Sequence, residues 1–130
     1  MPPEIGASLE MEWAVDDTNT AHNMGNPGMH VLATPWLIDY FEVACHRLIE
    51  PHLKEGQGTV GVVVDVRHLA ATPRGMKFRV RAEVAEVEGR RVAFRVEAHD
   101  EAEKIGEGRH ERFIVDMDRF MARLEEKANR

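Results

Sequence analysis

The strongest constraint on this chain is a helical stretch over residues 35–49 that is apolar almost all the way round. At about 100° per residue, Asp39, Glu42, His46 and Glu50 share a stripe only ~80° wide. Trp36, Leu37, Ile38, Tyr40, Phe41, Val43, Ala44, Cys45, Leu48 and Ile49 cover most of the remainder. A helix resting on a surface needs one apolar face, so an arc this broad requires enclosure on several sides. Thr34-Pro35 predicts the start, with Thr34 as N-cap and Pro35 in the first helical position. The stretch runs to Ile49 or Leu53.

After Gly56 and Gly58 the apolar period changes from 3.6 to 2. Val60, Val62, Val64, Val66 and His68 alternate with Thr59, Gly61, Val63, Asp65 and Arg67, which puts His68 on the valine face expected to meet the helix. Thr72-Pro73-Arg74-Gly75 reads as a turn. Two further alternating runs, over 76–84 and 92–98, follow, and residues 105–115 read as a last strand. Upstream, residues 7–15 alternate with Leu9, Met11 and Trp13 on one side, and residues 16–30 have a loop composition. Residues 117–128 suit an amphipathic helix. The order is strand, enclosed helix, then four strands joined by short turns that favour antiparallel pairing. It predicts an α+β hot-dog fold: a five-stranded antiparallel sheet wrapped around one long helix, with a C-terminal helix. A length of 130 residues suits one domain over 1–130. Five strands leave open edges that the polar loop cannot cover, so a homodimer or higher homo-oligomer is expected.

Composition excludes several classes. With 17 basic against 23 acidic residues and no basic run, duplex nucleic-acid binding is not expected. The longest aliphatic run, Val60 to Val64, falls far short of the ~20 residues that span a bilayer, so no membrane partner is expected. No basic segment followed by an apolar run opens the chain, which points to a cytoplasmic protein. The single cysteine, Cys45, permits no intrachain disulfide and no cysteine zinc cage, and reads as a core residue. His22 and His30 match no metal-ligand spacing, so no metal site is expected. Lys77, Arg79 and Arg81 line one strand face, either as a solvated surface or as a dock for ligand phosphates.

Four residues stand in improbable places. Glu42 lies mid-helix in the narrow polar stripe: either solvated and paired with His46 at i,i+4, or lining a cleft as base or nucleophile. His68, on a strand face otherwise apolar, is either a hydrogen-bonded core residue or a group that orients a substrate carbonyl. Thr34 caps the helix and stands where free N–H groups suit a developing oxyanion. Gly61, mid-strand, marks a bulge or a point where something must approach the backbone.

Several stretches resemble the fluoroacetyl-coenzyme A thioesterase branch of the hot-dog thioesterases. They are Val31-Leu32-Ala33-Thr34, Ile38 to Glu42 with Cys45, Glu55-Gly56-Gln57-Gly58, His68-Leu69-Ala70-Ala71-Thr72-Pro73-Arg74-Gly75, Val87 to Arg91, and Ile105 to Arg112. The resemblance implies hydrolysis of an acyl-CoA to carboxylic acid and free coenzyme A. It implies that Thr34, Glu42 and His68 form the catalytic set and that Gly61 lies beside the thioester. It needs no cofactor, since coenzyme A is part of the substrate. The loop Asn23 to Met29 carries no aromatic residue where the fluoroacetyl-specific enzyme has a phenylalanine lid, so a short- or medium-chain acyl-CoA is expected. Glu42 and His68 should converge on one cavity. Thr34 and Glu42, eight residues apart, are ~12 Å apart along a regular helix and cannot meet directly. They would act from different sides of the substrate or across a dimer. Two alternatives are an enoyl-CoA hydratase, suggested by Asn26-Pro27-Gly28-Met29-His30, and a non-catalytic acyl-CoA binding or sensing module.

Overall fold

The computed structural model describes residues 3–130. Its elements are β1 (Ser8–Ala14), a 3-10 turn (Ala21–Met24), α1 (Thr34–Ile49), a second 3-10 turn (Glu50–His52), β2 (Gln57–His68), β3 (Lys77–Glu88), β4 (Arg91–Asp100), β5 (Lys104–Asp116) and α2 (Met117–Ala128). The five strands form one antiparallel sheet in the order β1-β3-β4-β5-β2. The hot-dog arrangement expected from the period change is the one observed. No helix among the described residues is long and apolar enough to cross a membrane.

The enclosed helix sits where its apolar arc requires. Leu37, Phe41, Ala44, Cys45 and Ile49 of α1 pack with Phe78, Val80, Ala82 and Val84 of β3, with Val92, Phe94, Val96 and Ala98 of β4, and with Ile105. Contact with β5 is closest at Gly106, where a Cβ would stand 2.9 Å from Leu37 Cδ2 and 3.4 Å from Phe41 Cζ. Glycine lets the helix descend onto the sheet there. The outer face carries the Lys77, Arg79 and Arg81 row. Lys77 lies 3.9 Å from Glu12, Arg79 3.8 Å from Glu10 and Arg81 3.4 Å from Glu83. Carboxylates already face all three, which favours the solvated-surface reading of that row.

Two local expectations are corrected. The residue at the helix N-cap is Ala33, whose carbonyl accepts from the Leu37 amide at 3.0 Å. Thr34 is the first helical residue and caps nothing; its hydroxyl is engaged elsewhere. The alternation of β2 is also broken. The register of β2 on β5 shifts between Gly61 and Val63, a β-bulge. One extra residue reverses the faces, so Thr59 and Gly61 precede the bulge on the helix side, and Val64, Val66 and His68 follow it there. Val60 and Val62 are turned outward, and Val62, Val63 and Val64 are exposed in succession along the sheet edge.

Residues 15–33 and 69–76 form a pinned corner beside the start of α1. The buried Asn19 side chain donates to Ala14 O (3.0 Å) and Tyr40 Oη (2.8 Å), and its backbone carbonyl accepts from the Ala33 amide. The Leu32 amide donates to Thr72 O at 2.9 Å. The Thr72 hydroxyl donates to Asp100 Oδ2 at 2.9 Å, and Asp100 Oδ1 accepts the Ala102 and Glu103 amides at 2.8 and 2.9 Å. Burial alone would raise the Asp100 pKa, but those three donors outweigh it and hold the carboxyl below its ordinary value. Asp100→Ala removes the shared acceptor and should cost on the order of 2 kcal/mol at pH 7 in urea unfolding. A folded pKa below the unfolded value adds stability that is present above pH 3.8 and lost as pH falls through the folded value. The gap between wild type and variant should therefore narrow below pH 3.8, and a gap that widened there would contradict this assignment.

Candidate active site

The pinned corner sets Thr34 against His68. The Thr34 hydroxyl and His68 Nδ1 are 2.7 Å apart. The other ring nitrogen, Nε2, is buried and has no hydrogen-bond partner among the described residues. Burial pushes the imidazole pKa down, partly offset by the Ala70 carbonyl, so the ring is neutral at neutral pH. Thr34 donating to Nδ1 would leave the ring proton on Nε2 as a free donor, and Nδ1–H donating to Thr34 would leave Nε2 an acceptor. The pair lines a hollow of about 340 Å³ with Ala21, Asn26, Leu69 and Ala71.

Glu42 stands two turns further along α1, against the other half of β2. A Cβ at position 61 would lie 2.5 Å from Glu42 Oε1, 3.1 Å from His110 Cε1 and 3.4 Å from Arg112 Nη1. Both readings of Gly61 hold: the bulge adjoins it, and the carboxylate presses against its backbone. Arg112 Nη1 lies 3.6 Å from Glu42 Oε1. His110 Nε2 lies 3.9 Å from the same oxygen, but the ring is no cation. Burial lowers its pKa, and Arg112 lowers it further, against the opposing pull of the Val63 carbonyl and Glu42. His110 Nδ1–H donates to Val63 O at 2.8 Å, and Nε2 accepts from Arg112 Nη1 at 3.2 Å. Burial likewise lowers the Arg112 pKa, and the negative charge of Glu42 opposes that. The guanidinium remains charged. Cys45, fully buried, has its thiol pKa pushed up by desolvation and is inert, as its place in the core implies.

Glu42 is not paired with His46. That imidazole turns to Thr59 Oγ1 (2.7 Å) and to Glu50 (3.3 Å). Glu42, His46, Asp39 and Arg112 line a second hollow of about 400 Å³. Within one chain, Thr34 and His68 are therefore brought together, and Glu42 joins Gly61. The hollow lined by Glu42 and the hollow lined by Thr34 and His68 are distinct within one chain. His110 and Arg112 went unrecognised in the sequence. The signal was present in a strand that places a histidine and an arginine, two residues apart, on its helix-facing side.

The family model for fluoroacetyl-CoA-specific thioesterases (FlK) matches residues 15–118. A fluoroacetyl-CoA thioesterase of Streptantibioticus cattleyicolor is 42% identical over 97 residues, covering 75% of this chain and 70% of that protein. A phenylalanine-to-alanine variant of FlK in complex with fluoroacetate and CoA superposes with a TM-score of 0.86 at 35% identity, covering 90% of this chain and 98% of that one. A hot-dog-like protein from Thermanaerovibrio acidaminovorans matches with a TM-score of 0.90 at 25% identity, over 96% and 93% of the two chains. This chain belongs to the FlK family and is a thioester hydrolase.

Proposed function

We propose that the protein hydrolyses short- or medium-chain acyl-CoA thioesters, using Glu42 as base, His68 and Thr34 as positioning groups and no resident cofactor. The observation that carries this reading is the Glu42 carboxylate, pressed against the Gly61 backbone, facing Arg112 and open to a hollow. A carboxylate there can take a proton from water as its oxygen attacks the thioester carbonyl carbon. The carbonyl oxygen gains charge and accepts the Nε2–H of His68. The C–S bond then breaks, and coenzyme A leaves as the thiol with the proton that Glu42 received. Acid and free coenzyme A account for every atom of thioester plus water. Glu42 attacking directly is the alternative course. Two probes distinguish the courses: ¹⁸O from labelled water found in the Glu42 carboxylate after a single turnover, or an acyl–Glu42 adduct trapped by hydroxylamine, marks the covalent course, and neither arises in the base course.

The separation of the two hollows implies a second copy. Edge strand β2 exposes Val62, Val63 and Val64, an apolar edge that invites pairing. A two-fold axis through the middle of that run pairs β2 with its own copy in antiparallel sense. Residues equally far from the axis on either side are then opposed. His68 of the partner subunit then falls opposite Gly58, three residues from Gly61. Gly61 and His68 stand seven positions apart in one chain, roughly 20 Å, and the dimer narrows that offset to three positions. Each site then takes Glu42 and Arg112 from one protomer and Thr34 and His68 from the other.

A panel of acyl-CoA esters with colorimetric thiol readout tests the activity. Acetyl- or butyryl-CoA should be cleaved, and Glu42→Gln and His68→Ala should each lower kcat by at least ~100-fold. Wild-type turnover in both variants would remove the assignment. Gly61→Val should also abolish turnover while unfolding remains cooperative, because its side chain would occupy the place of the Glu42 carboxylate. Binding of the esters without thiol release would indicate a sensing module instead.

A further inference from the structure

We infer that Thr59 and His46 are positioning residues that aim the Arg112 guanidinium, and through it the Glu42 carboxylate, at the reacting centre. The inference rests on the reading of Glu42 as base. A guanidinium offers five N–H donors in a rigid fork, so fixing two edges fixes the third. Arg112 Nε donates to Thr59 Oγ1 at 2.9 Å, and Nη2 donates to Thr59 O at 3.1 Å. One residue thus takes one whole side of the fork. Nη1 is left to His110 Nε2 and to Glu42.

The Thr59 hydroxyl, which accepts from Nε, keeps its own proton and a second lone pair for another partner. It points at His46 Nδ1, 2.7 Å away. Across the same ring, His46 Nε2 faces Glu50 Oε2 at 3.3 Å. The chain Arg112–Thr59–His46–Glu50 is thus continuous at 2.9, 2.7 and 3.3 Å, and it runs from an exposed carboxylate to a buried cation. Such a run holds orientation better than any of its members alone. The bulge after Gly61 serves the same end, because it leaves Thr59 on the helix side of β2, where both His46 and Arg112 reach it.

The test is steady-state hydrolysis of butyryl-CoA by single variants and by a double-mutant cycle. Thr59→Val removes the hydroxyl and keeps the backbone carbonyl. It should lower kcat about tenfold with KM changed less than about twofold, since misaimed charge affects the reacting state more than ground-state binding. Thr59→Ser should return kcat to within about twofold of wild type. In an Arg112→Lys background, which lacks the fork, Thr59→Val should cost less than about twofold more. His46→Ala leaves every Arg112 bond in place and should lower kcat about threefold at unchanged KM, which provides a second reading should Thr59→Val fold poorly. Wild-type kcat in Thr59→Val or in His46→Ala, failure of serine to rescue, or an equal loss in the Arg112→Lys background would each overturn the inference. Glu42→Gln separates the two layers. If it is inactive while Thr59→Val is fully active, only this inference falls; if Glu42→Gln itself keeps wild-type turnover, the thioesterase mechanism falls first.

Discussion

A carboxylate on the third turn of an otherwise apolar helix must be held against a sheet, and here the sheet meets it with a guanidinium and a missing side chain. Gly61 removes the Cβ that would stand 2.5 Å from Glu42 Oε1, and Arg112 supplies the opposite charge at 3.6 Å. Neither would serve alone. Without the glycine the helix could not approach, and without the arginine a partly buried carboxylate would lack compensation for its lost hydration. His110 completes the arrangement by staying neutral, which lets it accept from Arg112 instead of competing with it for Glu42.

The opposite end of β2 solves a different problem. Thr34 and His68 come from elements 34 residues apart, and the corner built on Asn19, Thr72 and Asp100 brings them together. That corner is polar, yet Asn19, Thr72 and Asp100 each meet defined partners in it, so it is rigid where an apolar contact would slide. One strand therefore carries two half-sites, one near each end, separated by the exposed valines of its edge. A strand built this way keeps the two groups of residues apart within one protomer, and the symmetric pairing proposed above would bring them together.

Much of the fold was legible in the sequence. The enclosed helix, the change of period and the short turns dictate a sheet wrapped on a helix, and only terminal residues of the elements shift. The failures are local. Thr34-Pro35 has the composition of a cap, but the position is decided by tertiary contact: the hydroxyl is worth more to His68 than to the first turn. Gly61 signalled a bulge as one of its two readings, but valines flank it on both sides, so composition did not show which of them it turns outward. The candidate residues Glu42, His68, Thr34 and Gly61 stood out because each breaks its local pattern. Arg112 and His110 did not, since an arginine and a histidine in a charged strand look like surface until the register turns them inward.

The division of the site between protomers is most directly tested by subunit complementation. Glu42→Gln and His68→Ala chains, each inactive alone, can be co-expressed with different tags and the heterodimer purified through both. If each site takes Glu42 from one protomer and His68 from the other, the heterodimer holds one intact site and one doubly disabled site, and it should hydrolyse acyl-CoA at roughly half the wild-type rate. A heterodimer no more active than its inactive parents would show that both groups act within one chain, and the account of the paired edges would be wrong.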